Sequence, residues 1–323
     1  MTDVVGLGSC TVDFFALVPR LIGAEEKINA TRLEVHAGGV TANNLTQVAR
    51  LGATAAWIGF IGDDDNGRII TRQFTEDRMD LSGIIAVAGQ RSSFTWIPVD
   101  AQGERCIYMF PNVTARVTPQ DLREKFAAHI RGAKHFHTEA SQLPLAPVLE
   151  GMRIAREAGV CVLFDLDVAP SYFVAPGLGS EAGLMEALKL VDVLKPCKAA
   201  ARELSGASDY DAMARKLLGC GPKLVAITMG SEGCLMARAE VEGATTQVNA
   251  KIAHLPSFRV NVVDTTGAGD AFMGGLSYAL LQGWDDERAG RFANACAALC
   301  CTRVGARAMS GLAEVNALLT TPR

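Results

Sequence analysis

Short apolar runs that alternate with helical patterns along most of the chain predict an α/β fold. The expected form is a doubly wound, mostly parallel sheet with helices on both faces and a small β-sheet lid. The runs Val4 to Gly8, Ala55 to Ile61, Val160 to Phe164, Val191 to Leu194 and Leu224 to Thr228 are continuously apolar rather than alternating. Strands of that kind are covered on both faces, as in a parallel sheet. Between them, Leu145 to Ala158, stopped by Gly159, and Asp209 to Leu218, stopped by Gly219, carry apolar residues at helical spacing. Two stretches break the alternation, at about 14–36 and 91–112, the second reading "SSFTWIPVDAQGERCIYMF". Both read as inserted hairpin strands that form the lid. No repeat, low-complexity tract or linker divides the chain, so 1–323 is expected to be one domain.

Composition narrows the function classes. Among 323 residues 49% are hydrophobic, and 31 Lys+Arg against 35 Asp+Glu give a formal net charge of -4 without long runs. A sizeable core is expected, with no basic footprint for nucleic acid or anionic membrane, so the default partner is a small molecule. Met1 to Cys10 has neither a basic leader nor a long apolar core, and no later stretch is apolar enough to span a bilayer, which predicts a cytoplasmic protein. Nine cysteines without a C-x-x-C pair read as reduced thiols, Cys296 and Cys300 among them.

The strongest local signal is "VVDTTGAGDAF", Val262 to Phe272. It reads as a strand, a side-chain-poor turn at Gly267, Ala268 and Gly269, and a buried helix from Ala271 to Leu281. A helix that starts on small residues presents unpaired amides and the positive end of its dipole to an anion. Asp270 in that place suits a hydroxyl whose proton it takes while the amides neutralise a transferring phosphoryl group. Taken alone, the segment leaves one alternative, an acidic residue in an ordinary first turn. From Ala37, "AGGVTANNLTQVARLG" gives a second glycine loop opening a helix that carries Asn43 and Asn44. Gly38 and Gly39 allow close approach of a ligand, and a carboxamide can both donate to and accept from sugar hydroxyls. "GLGSCTVDFF" lacks the third glycine of a dinucleotide fingerprint, and no Walker A loop is present.

These two segments resemble the two signatures of the ribokinase-like PfkB carbohydrate kinases, in the same order and at the usual separation. Asp13, "DAQGER", Glu139 in "HFHTEA", "ITMGSEG" and "RFANACAALCCTRVGA" extend the resemblance over nearly the whole chain. It implies ATP-dependent transfer to a hydroxymethyl group of a small sugar, with Asp270 as general base and the amides of Gly267, Ala268 and Gly269 as anion hole. Asp13, Gly38, Gly39, Asn43 and Glu139 would hold the acceptor. Thr228, Gly230, Ser231 and Gly233 would border the nucleotide, with Asn294 near the adenine. ATP and Mg2+ are the implied cofactors. A K+ ion is implied at Asp264, Thr266, Cys300, Arg303 and Gly305, mostly through backbone oxygens, and a homodimer through the lids is implied as well.

One departure stands out. The family carries N-x-x-E after "KP", where it organises magnesium; "LKPCKAAARELSG" places Cys197 and Ala200 there. Losing such outer partners weakens metal placement rather than abolishing it. Glu203, a turn further on, is either a substitute or an ordinary solvent-facing carboxylate. His135 and His137 share one face of a predicted strand without a third ligand nearby, so a metal site there is not expected. Beside a working sugar kinase, with a ketose-like acceptor favoured, two readings stay open: a nucleoside kinase of the same family, and a catalytically weakened sugar- or nucleotide-binding protein.

Overall fold

In the computed structural model, residues 2–240 and 249–320 are described. Fourteen strands are found among them: β1 Val4–Leu7, β2 Thr11–Leu17, β3 Arg32–Gly38, β4 Ala55–Trp57, β5 Gly59–Gly62, β6 Ile84–Val87, β7 Phe94–Val99, β8 Tyr108–Phe110, β9 His135–Glu139, β10 Cys161–Leu166, β11 Val193–Pro196, β12 Leu224–Thr228, β13 Cys234–Ala239 and β14 Ala250–Leu255.

Eight strands form the main sheet in the order β14-β13-β12-β11-β10-β9-β1-β4. The pairs from β4 to β12 are parallel, and β13 and β14 add an antiparallel edge. The continuously apolar runs are buried because helices cover both faces. One face packs on the helices Leu145–Glu157, Lys198–Ser205 and Tyr210–Leu218. The other packs on Ala268–Leu281 and Asp286–Cys300. Parallel strands point their carboxyl ends the same way, and ligands bind in the crevice outside those ends. Ser9, Glu139, Asp165, Asp167 and Lys195 all lie at that end of the sheet.

The lid is a separate four-stranded sheet, β3-β2-β7-β8. Its first strand begins at Thr11, three residues before the expected insertion, so Asp13 is a lid residue paired with His36 and Thr95. Two expected strands differ from the structure. Ala55 to Ile61 is not one strand, because Ile58 N still bonds Gly6 O (2.9 Å) while Gly59 N bonds Gly83 O (3.1 Å). The pairing thereby passes from β1 to β6, and β5 and β6 form a small sheet of their own. Val262 and Val263 are not a strand either: they are 58% and 53% exposed, and Val263 N bonds Cys301 O at the end of a helix. No helix among the described residues is long and apolar enough to cross a membrane.

Candidate active site

Two helices open on the cleft, each from a glycine. Gly39 (φ 96°) precedes the helix Val40–Arg50 and Gly267 (φ 81°) precedes Ala268–Leu281, in neither case with a side-chain cap. Both glycines hold the left-handed conformation that L side chains resist. Space forbids a side chain as well: a Cβ would lie 2.6 Å from Ser9 O at Gly39 and 2.0 Å from Ala306 O at Gly267. At the second helix the Ala268 amide makes only a long bond to Thr265 O (3.3 Å), and the amides of Gly267, Gly269 and Asp270 have no acceptor among the described residues. Three unpaired amides and the positive end of the helix dipole lie at this helix start, an arrangement that attracts an anion.

Asp270 is buried at this start, and its Oδ2 accepts from Asn43 Nδ2 at 2.7 Å. Burial and the neighbouring carboxylate of Asp167 push its pKa well above the usual carboxylate range, against the opposing pull of Lys195. A carboxyl raised in this way is a stronger proton acceptor near neutral pH. Lys195 is buried at the end of β11, with Nζ 2.9 and 3.2 Å from the two oxygens of Asp165 and 4.0 Å from Asp167. Burial pulls Lys195 down, but Asp165, Asp167 and Asp270 outweigh it and keep the ammonium charged. It rests directly against Gly269, where a Cβ would come within 3.0 Å of Nζ.

Toward the lid, Asp13 Oδ1 accepts from Thr11 Oγ1 (2.8 Å) and Thr95 Oγ1 (2.6 Å), while Oδ2 lies over Gly38. Glu139 Oε1 accepts from Ser9 N (2.6 Å), and Oε2 is buried without a partner. Burial pushes Glu139 upward. Asp13, Gly38, Gly39, Asn43, Glu139 and Asp270 are thus brought to one cleft. From the lid, Arg105 Nη1 reaches Thr266 Oγ1 at 3.1 Å, so the "DAQGER" turn touches the loop before the second helix.

On the far side of Gly269 lies a cavity of about 780 Å³, lined by the expected Thr228, Gly230, Ser231, Gly233 and Asn294. Phe258, Val260 and the exposed Val262 add apolar walls that sequence reasoning missed. Asn294 Nδ2 bonds the carbonyls of Leu255 (3.0 Å) and Pro256 (3.3 Å), leaving its oxygen for a ligand. The size suits a nucleotide.

At the positions where the resemblance implies a monovalent cation, Asp264 ties the loop together. Oδ1 accepts from Thr266 N (2.9 Å) and Oγ1 (2.7 Å), and Oδ2 from Gly305 N (3.0 Å). Cys300 Sγ contacts Thr266 O at 3.6 Å, whereas the Arg303 side chain turns away to pair with Glu314. Cys197 caps the helix Lys198–Ser205, its Sγ accepting from Ala200 N at 3.4 Å, and Ala200 is fully buried. Glu203 is no substitute for the missing motif, since its carboxylate accepts from Ser171 N (2.7 Å) and Ser171 Oγ (2.9 Å) at the start of another helix. His135 and His137 are buried and held down to about 4 and about 3 by burial, hence neutral. They bond Ser277 and Asn44, and no cluster of three metal-ligating side chains occurs among the described residues.

The fold and the two glycine-opened helices at one cleft define a sugar-kinase architecture, and comparison with known proteins agrees. Residues 1–311 match the model of the pfkB family carbohydrate kinases, and the chain belongs to that family. It is an ATP-dependent phosphotransferase of the carbohydrate kinase class. It is 30% identical over 317 residues to fructokinase-1 of Oryza sativa subsp. japonica, covering 94% of this chain and 93% of that one. It is 33% identical over 331 residues to an ATP-dependent ribose-1-phosphate kinase of Halopiger xanaduensis, covering 99% of each. Among solved structures, ribokinase from Thermotoga maritima superposes with a TM-score of 0.84 at 26% identity, over 99% of this chain and 100% of that one.

Proposed function

We propose that the chain transfers the γ-phosphoryl group of ATP to a hydroxymethyl group of an uncharged sugar, a ketose in the first instance. Asp270 is the general base, and the helix start at Gly267 to Asp270 is the anion hole. The observation that carries this reading is the pairing of a buried, upward-shifted carboxyl with unpaired amides on the same helical turn. A hydroxyl placed between Asp13 and Asp270 gives its proton to Asp270 as its oxygen bonds to the γ-phosphorus, the bond from that phosphorus to the bridging oxygen breaks and ADP leaves, and the amides receive the charge of the transferring group.

The rest of the cleft supports a neutral acceptor. Asp13 Oδ2 and Glu139 Oε2 are acceptors left over for hydroxyl donors. The two buried cations are already engaged, Lys195 by Asp165 and Arg307 by Asn43 and the Gly38 carbonyl. A phosphate or carboxylate on the acceptor would meet these carboxylates as like charges. The test is ATP consumption over a panel of ketoses, aldoses, sugar phosphates, keto-deoxy acids and nucleosides. The reading expects a free sugar to have the highest kcat/KM, and a sugar phosphate or nucleoside at the top would overturn that choice.

Magnesium supplies neutralisation of the nucleotide phosphates when bound. Cys197, whose thiol burial keeps neutral, and apolar Ala200 offer it nothing. Asp167 does: its side chain is 39% exposed, and it lies near enough to raise both Asp270 and Cys197. Magnesium takes few protein carboxylates and keeps its waters and the substrate phosphates, so the donor set fits. The same absence of the motif favours a second reading, a catalytically weakened kinase, which slow transfer at every magnesium level would support.

For the monovalent cation, the Asp264 staple fixes the Thr266 and Gly305 backbone, and rates in K+ against Na+ decide whether an ion is used there. The lid face opposite Asp13 exposes Leu33, Val35, Trp96, Tyr108 and Phe110, and the last three of these line a hollow of about 500 Å³. An apolar sheet face with open edges is a site for pairing, here with a second lid in a homodimer. A monomeric mass in light scattering would refute it.

A further inference from the structure

Asn43 joins the two glycine-opened helices, and Arg307 decides which way its carboxamide faces. Arg307 lies after the helix Asp286–Cys300, buried, with Nε donating to Asn43 Oδ1 at 3.0 Å and Nη2 to Gly38 O at 2.7 Å. A guanidinium has donors only, so the Asn43 atom facing it must be the oxygen. The amide nitrogen is then fixed toward Asp270, 2.7 Å away. Turned the other way, the amide would set a carbonyl oxygen against a carboxylate.

Stability alone does not explain the arginine. A buried charge is normally paired with an opposite one. Among the described residues Arg307 has no carboxylate within 4.0 Å, its Nη1 is buried without a hydrogen-bond partner, and the ring of Phe74 lies 5.4 Å from its Cζ. Cys10, Asp13, Asp77 and Arg50 are the other polar groups around it.

We propose that Arg307 is a positioning residue of phosphoryl transfer: through Asn43 it holds the donor that keeps the Asp270 carboxylate in its reactive orientation, and through the Gly38 carbonyl it holds the acceptor loop in register. The inference rests on Asp270 being the base. Arg307→Met removes both bonds at similar length, and Arg307→Lys keeps a donor and the charge. In Arg307→Met, kcat is expected to fall about a hundredfold, the size that a small misplacement of reacting groups produces. The KM for ATP should stay within about threefold, because the nucleotide cavity is untouched. Arg307→Lys should recover part of kcat, which a mere packing role would not give.

The second readout needs no turnover. In protein labelled with 15N-asparagine, the Asn43 side-chain amide, assigned by its loss in Asn43→Ala, should exchange slowly with solvent in wild type, fast in Arg307→Met and at an intermediate rate in Arg307→Lys. Unchanged kcat and unchanged amide exchange in either variant would overturn the proposal. If wild type phosphorylates no acceptor, the kinase reading fails on that result, and amide exchange still decides whether Arg307 orients Asn43.

Discussion

The two glycine-opened helices use one backbone device for two ends. At Val40–Arg50 the first amides are consumed internally: Val40 N donates to Ser9 Oγ at 2.8 Å and Ala42 N to Ser9 O at 3.2 Å. At Ala268–Leu281 the amides of Gly269 and Asp270 are left open. In the proposed reading, the saturated helix start is scaffolding that brings Gly38, Gly39 and Asn43 to an acceptor. The unsaturated one is suited to bind charge. The difference comes from Ser9, which follows β1 and reaches the first helix, whereas nothing at the second replaces it.

Substitution at the paired glycines breaks the comparison most sharply. Gly267→Ala drives a Cβ into the Ala306 carbonyl and forces a left-handed conformation on alanine. The amides must then move, and kcat should fall about a hundredfold, as for loss of an oxyanion donor. Gly39→Ala carries similar strain, about 1–3 kcal/mol, but its amides serve Ser9. Its loss should therefore appear in unfolding midpoint and acceptor KM more than in kcat. Equal kcat losses in the two variants would erase the distinction.

The raised pKa of Asp270 gives the next effect. As pH falls through that value the carboxyl takes a proton and stops serving as base, so the acid limb of kcat/KM should lie above the ordinary carboxylate range. A limb near 4 would count against the burial argument.

Away from the helix Ala268–Leu281, His137 tests the scaffold. Burial holds it down to about 3 against 6.5 in an unfolded chain, so only the unfolded form gains a proton between those values. Its contribution to stability is present above 6.5 and is lost as pH falls toward 3, at most about 1.4 kcal/mol per pH unit. Urea unfolding at pH 7.5 and 5 should show the loss, and His137→Gln should reduce it. Smallest is Cys197→Asn: a thiol is a poor cap, and asparagine there should stabilise the helix Lys198–Ser205 by about 1 kcal/mol.

Much of this was readable from sequence for a physical reason. Buried parallel strands must be continuously apolar, and a helix opening on Gly-Ala-Gly-Asp gains meaning from the second glycine-opened helix that accompanies it. The misses share the opposite property. Both halves of Ala55 to Ile61 are apolar, so nothing in the residues marks the exchange of partners at Ile58. Val262 and Val263 look like a strand because β-branched residues suit strands, yet both are exposed, and Val262 lines the cavity beside Gly269. Arg307 and Lys195 carry no local signature, since their meaning lies in contacts with Asn43 and Asp165, 264 and 30 residues away. Glu203 looked available only because the helix start it holds at Ser171 is distant in the chain.

The most direct test of the account is a single-turnover comparison of wild type and Asp270→Asn, with ATP and the best acceptor bound. The shape of the site is kept while the proton acceptor is lost, so both substrates should bind with dissociation constants close to wild type. Formation of phosphorylated acceptor should slow by about 10² to 10⁴. A single-turnover rate within about threefold of wild type would show that Asp270 is not the base and that the open helix start is not where transfer occurs.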